Sequence, residues 1–192
     1  LRKIIKKRAH FPTDEAAIKL ARKWGQLHRG GAYRIITAGN ASHGRSLATL
    51  AASGDNRFEP PLPGFCHVPF NDLPALHAAV DAQTVAIMLE PIQGEAGVIP
   101  ATEHYLKGGE RLCRELGILL ILDEVQTGMG RCGTLLAEQR YGVRADIVAL
   151  GKGLGGGVPL AALLARGKAC CFEIGELEGT HHGNALMAAA GV

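Results

Sequence analysis

Apolar residues recur along this chain with two periods, one near 3.6 and one of short unbroken runs, and polar or glycine-rich breaks separate them. Ala16, Ala17, Ile18, Leu20, Ala21 and Trp24 return at helical spacing after Pro12-Thr13-Asp14 and before Gly25, and predict a helix over residues 14–27 capped by Thr13 or Asp14. Residues 33–37 read as a short strand, followed by the polar loop Ala41-Ser42-His43-Gly44-Arg45 and an apolar helix-like run over 47–52. The stretch 53–69 is rich in Gly and Pro and predicts a surface loop. Helical spacing resumes over 72–81, with Leu73, Leu76, Ala79 and Val80 on one face. Residues 85–89 form a wholly apolar strand of the kind covered on both faces, and Glu90 to Glu95 follow it. A crossover helix is predicted over 102–116, although Gly108 and Gly109 each cost about 1 kcal/mol against Ala. The strand 118–122 ends at Asp123, a helix is predicted over 134–141, and the strand 146–150 ends at Gly151-Lys152. Residues 160–165 form a further candidate strand, and Gly179 to Asn184 make a polar loop before an Ala-rich helix start.

Strands thus alternate with helical segments, which predicts an α/β fold with a mostly parallel sheet, helices on its faces and right-handed crossovers. With 192 residues and 47% hydrophobic content the chain can bury one sizeable core, so a single domain is expected. A net charge of +3 excludes nothing by itself, but its only cluster is Arg2, Lys3, Lys6, Lys7 and Arg8, read as a solvated helix face or a ragged terminus. No nucleic-acid partner is expected from it. The five cysteines show no C-x-x-C spacing, so neither a disulfide framework nor a zinc knuckle is expected, and a reducing, cytoplasmic setting is the default. No apolar run reaches the roughly 20 residues of a membrane helix, and no membrane association is expected.

The chemistry concentrates at two strand ends. Asp123 closes one buried strand and Lys152 follows another, and in an open α/β sheet ligands bind outside the carboxyl ends of the strands. Gly151-Lys152-Gly153-Leu154-Gly155-Gly156 formally matches G-x-G-x-x-G, yet Gly157-Val158-Pro159 leads into a short apolar run rather than the long helix a dinucleotide turn opens. A lysine among glycines at the end of a buried strand suits imine chemistry, since desolvation favours the neutral amine. Pyridoxal phosphate requires such a lysine together with a carboxylate for its ring nitrogen. Read one at a time, Lys152 could equally be a solvated loop lysine and Asp123 a helix-capping acid. His43 and the pair His181-His182 lack metal-ligand spacing, so no metal site is expected; His77 and His104 read as solvated helix positions.

Several segments in order then resemble the class III (ornithine-type, subgroup II) aminotransferases, which use pyridoxal phosphate. These are D-E-A-A-I-K-L-A-R-K-W, S-H-G-R, V-P-F-N-D-L, E-P-I-Q-G-E-A-G-V, L-D-E-V-Q-T-G-M-G-R, L-G-K-G-L-G-G-G-V-P-L and G-T-H-H-G-N-A-L, covering residues 14–192. The resemblance implies the large cofactor-binding domain of a fold-type I enzyme, here partial over 1–192, with a divergent terminus at 1–13 and the small domain missing. It implies that Lys152 holds the cofactor covalently and moves the substrate proton, and that Asp123 pairs with the ring nitrogen. Glu124, Val125, Gln126, Ser42 and His43 are implied around the ring, Arg45 and Glu95 at the substrate, and Thr180 at the cofactor phosphate of a neighbouring subunit. A homodimer follows from that last role. The implied reaction passes the ω-amino group of a donor such as N-acetylornithine to 2-oxoglutarate, in arginine and ornithine metabolism.

Departures from the family pattern give a second expectation. Ala9-His10-Phe11-Pro12-Thr13 stands where a small-residue phosphate cup is usual, and Ser42 stands where an aromatic ring stacks on the cofactor. The chain is also about half a family member's length. An inactive fragment kept as a structural or interaction module is the alternative these features support.

Overall fold

The computed structural model describes the backbone of residues 3–8 and the residues 13–179 and 182–190. A seven-stranded sheet forms the centre, ordered β1-β9-β8-β7-β4-β2-β3, where β1 is Lys3–Arg8, β2 Arg34–Ala38, β3 Phe65–Val68, β4 Thr84–Leu89, β7 Leu119–Asp123, β8 Ile147–Leu150 and β9 Leu160–Ala165. The run β3-β2-β4-β7-β8 is parallel throughout, whereas β9 is antiparallel to β8 and β1 antiparallel to β9. A two-stranded antiparallel ribbon, β5 (Ile92–Gln93) and β6 (Ile99–Pro100), lies beyond the end of β4.

Helices cover both faces. The first face packs α1 (Thr13–His28) and α2 (Leu47–Ser53) against Ile35, Ala86, Met88, Leu119, Ile121 and Ile147. The second carries α3 (Leu73–Ala78), α4 (Glu103–Leu116) and α5 (Ala137–Tyr141), which enclose Ile36, Ile87, Leu89, Leu120, Leu122, Val148 and Leu150. A last helix, α6, spans Ala185–Ala190. Because successive strand residues point to opposite faces, alternate residues of each inner strand serve different cores, which is why these strands are apolar without interruption.

The topology creates a switch point. From β2 the chain crosses over through α2, on the first face, to β3 at the sheet edge. It then returns through α3, on the second face, to β4 on the other side of β2, and continues through β7 to β8. Crossovers of one hand that change direction must change faces, so a crevice opens between the carboxyl ends of β2 and β4.

Three sequence expectations are corrected. The predicted loop 53–69 contains β3, which pairs in parallel with β2; it is an edge strand with only Val68 buried, so it has no apolar run to betray it. Residues 3–8, read as a helix face or ragged end, form β1 along β9. The helix predicted over 134–141 is confined to α5, since Thr134 and Leu135 belong to the approach. Gly25 lies within α1, as the predicted span 14–27 has it, and a Cβ there would stand 1.9 Å from the Ala32 carbonyl oxygen and 2.9 Å from Val85 Cγ2. That glycine lets the helix touch the chain entering β2.

Candidate active site

A cavity of about 560 Å³ opens at the switch point, and β2, β4, β7 and β8 each deliver residues to it. The register of the sheet decides which ones. On β7, Leu119 and Ile121 face α1, so Asp123, two residues on, falls on the same side; on β4, Ala86 and Met88 do likewise and bring Glu90. The loop after β2 supplies His43.

His43 and Asp123 are buried, at 1% and 5% exposure, and the ring Nδ1 lies 2.8 Å from Asp123 Oδ2. An ionised carboxylate only accepts, so Nδ1 carries the hydrogen and donates. Val125 donates its backbone N–H to Asp123 Oδ1 at 3.0 Å, the other oxygen of the same carboxylate. Asp123 is thereby fixed in orientation at the cavity floor.

Glu90 accepts the Ser42 N–H at 3.0 Å. Burial pushes its carboxyl up to about 7; His43 opposes that rise, Asp123 adds to it, and the Ser42 N–H and Lys152 pull back. At the rim, Lys152 Nζ donates to Gln126 Oε1 at 2.8 Å. Lys152 has φ 41°, a left-handed conformation rare outside glycine, and it opens a short 3₁₀ turn, Lys152–Gly155, that leads by way of Val158 and Pro159 into β9. No helix follows, so the glycine loop lacks the helix amino end a dinucleotide turn requires.

A carboxylate fixed by two donors, one of them a buried imidazole N–H, and a primary amine at the rim of the same cavity are a donor set that fits a protonated pyridine ring carrying an aldehyde. The class-III aminotransferase family model matches residues 12–192. The chain belongs to the class III aminotransferases.

This class III aminotransferase chain is 57% identical over 184 residues to acetylornithine aminotransferase 2 of Bordetella pertussis, covering 94% of this chain and 46% of that protein. Among solved structures it is similar to the ornithine aminotransferase of Toxoplasma gondii, with TM-score 0.89, 34% identity, and coverage of 96% of this chain and 47% of that one. A second structure of the Toxoplasma enzyme holds pyridoxal phosphate at partial occupancy in its active site. The N-acetylornithine aminotransferase of Stenotrophomonas maltophilia is similar with TM-score 0.73 and 40% identity, covering 88% of this chain and 42% of that one. The chain spans about half the length of the curated relatives it matches.

Within the aminotransferase chain, Ser42, His43, Arg45, Glu95, Asp123, Val125, Gln126 and Lys152 all line the one cavity. Glu124 is not among them, and its expected place beside a cofactor is corrected. It follows Leu122 onto the second face of the sheet, where its carboxylate accepts the backbone N–H groups of Ala137 and Glu138, at the start of α5, and the Thr127 hydroxyl. One step of strand alternation separates a site residue from a helix anchor.

Lys152 is also corrected in one respect. The desolvated amine expected among glycines is exposed, because the 3₁₀ turn leaves its side chain at the cavity rim. Thr180 lies outside the described residues, as do Ala9 to Pro12 of the expected phosphate cup.

Sequence reasoning assigned no role to two buried acids here. Glu90 was visible as a polar residue ending an apolar strand. Asp14, at the start of α1, reads as a helix-start residue and gave no separate signal, yet one oxygen each of Asp14 and Asp123 and a ring nitrogen of His43 lie within 4.8 Å of one another. No helix among the described residues is long and apolar enough to cross a membrane.

Proposed function

We propose that this chain holds pyridoxal phosphate through Lys152 and Asp123 and contributes them to transamination of an ω-amino donor such as N-acetylornithine, with 2-oxoglutarate as acceptor. The observation that carries the reading is that Asp123, at the end of β7, and Lys152, just after β8, open into one cavity at the switch point of the sheet. When bound, the cofactor supplies an electron sink that makes the hydrogen on the substrate carbon acidic.

The protein's residues do the rest. Asp123, oriented by His43 and the Val125 N–H, offers a fixed negative charge to the ring nitrogen, and its burial keeps that charge effective. Val125, in the lining of the cavity, would pack against the ring. Lys152 Nζ, steadied by Gln126, is the amine that would hold the cofactor covalently and would carry the proton from and back to the substrate carbon. Arg45 and Glu95 stand exposed at the rim. A guanidinium there binds a substrate carboxylate in bidentate fashion, and an acid alongside provides an alternative partner for that cation when the donor brings no second carboxylate. The working unit in this reading is a homodimer in the cytoplasm, as the family resemblance implies.

A coupled assay tests this reading. The chain, loaded with pyridoxal phosphate, is expected to form glutamate from 2-oxoglutarate only when an ω-amino donor is present, and Lys152→Ala is expected to abolish it. Glutamate formation that survives Lys152→Ala contradicts the assignment.

One observation favours a second reading, a fold that binds without turnover: Lys152 is exposed rather than enclosed. It predicts cofactor binding with no glutamate formed.

A further inference from the structure

Asp14 lies in the first turn of α1, is 5% exposed, and its Oδ1 is buried without a hydrogen-bond partner. One of its carboxylate oxygens lies within 4.8 Å of an Asp123 oxygen and of a His43 ring nitrogen. Glu90 faces it from β4, His43 from the loop after β2, and Arg45, Glu95 and Lys152 share the cavity it borders. Two carboxylates removed from water at such range cannot both stay ionised without a large electrostatic cost, so the pair retains a proton.

The hydrogen bonds say which carboxyl retains it. Both Asp123 oxygens already accept, Oδ1 from the Val125 N–H and Oδ2 from the His43 ring. Asp14 Oδ1 has no donor at all. Burial above all, then the charges of Asp123 and Glu90, hold the Asp14 carboxyl well above the usual carboxylate range, and its own backbone N–H pulls the other way. A cation bridging the same three residues is a poorer fit, since whichever Asp123 oxygen it took already accepts a hydrogen bond.

We propose that Asp14 is a positioning residue that stays protonated at neutral pH and donates to Asp123, so that Asp14, His43 and Asp123 together present one negative charge to the cavity. A single charge matches a singly protonated ring, whereas two ionised acids overcharge the site and bind protons in place of the cofactor. This inference rests on the reading of Asp123 as the partner of the ring nitrogen.

Carboxyl ¹³C NMR of the full chain without cofactor follows the proton directly, with the Asp14 resonance assigned by its loss in Asp14→Asn. The expected spectrum keeps Asp14 in the neutral-acid position at neutral pH. Titration of Asp14 near the ordinary value of about 4 overturns the proposal. Cofactor affinity gives the second readout. Asp14→Asn, which still donates, is expected to stay within about threefold of the parent, while Asp14→Ala loses about tenfold, the scale of one hydrogen bond to a charged group. Equal loss in both variants overturns the donor role. If the parent chain binds no pyridoxal phosphate, the reading of the site fails, and the NMR titration still decides where the proton resides.

Discussion

His43 Nδ1 and Asp123 Oδ2 meet at 2.8 Å with both side chains buried, so a residue from the loop after β2 fixes a carboxylate at the end of β7. The contact crosses β4, which lies between those two strands in the sheet. It therefore joins the two sides of the switch point, and its loss should be felt in both stability and binding.

Replacing His43 with Ala leaves a buried carboxylate with one donor fewer. Urea unfolding of the cofactor-free chain is expected to show a loss of about 2 kcal/mol, the range for a hydrogen bond to a charged group. Cofactor affinity falls in the same variant, because Asp123 is free to turn. Unchanged stability contradicts the account of how Asp123 is held.

Glu90 makes stability fall with rising pH. Its carboxyl has an ordinary value of 4.5 and is raised to about 7 in the fold, so across that interval the folded state binds more protons than the unfolded one. Stability from this group is complete below the lower value and is lost as pH rises through the upper one, by roughly 3 kcal/mol. Unfolding curves at mildly acidic and mildly alkaline pH should differ by this much more for the parent than for Glu90→Gln. An equal pH dependence in the two proteins counts against it.

Glu124→Ala should damage the fold and spare the cavity. Removing its carboxylate strands the backbone N–H groups of Ala137 and Glu138 at the start of α5, at a cost of about 2–3 kcal/mol. Measured on protein that remains folded, cofactor affinity should match the parent. A selective loss of affinity would place Glu124 in the site after all.

Gly25→Ala tests the close approach of α1 to the chain before β2. Alanine is the better helix former by about 1 kcal/mol, but its Cβ meets a backbone carbonyl oxygen that cannot rotate away. The overlap outweighs the propensity, and a net loss of about 2 kcal/mol or more is expected in chemical denaturation. A stabilised variant contradicts the packing described for this contact.

What could be read from the sequence follows from how each feature announces itself. The inner strands were legible because burial on both faces requires unbroken apolar runs, and Asp123 and Lys152 stood out as the polar residues ending two of them. β3 was not legible: at the sheet edge, Phe65, Cys66 and His67 need not be buried, and the prolines around them signal a loop. β1 sets two adjacent isoleucines among four basic residues, a pattern shared by a solvated terminus. Glu124 illustrates a subtler limit. Its neighbour in the motif points into the cavity, and adjacency in sequence suggested adjacency in space, whereas strand alternation sends the next residue to the opposite face. Asp14 was hidden because an acid at a helix start is ordinary; only tertiary packing against β7 makes it a buried acid beside another.

The most direct test of the central claim is to add pyridoxal phosphate to the purified chain, remove the excess, reduce with borohydride and map the labelled peptide. The account predicts a visible absorption band before reduction and a stable label on Lys152 alone, absent from Lys152→Ala. No label, or label scattered over the surface lysines, would contradict it.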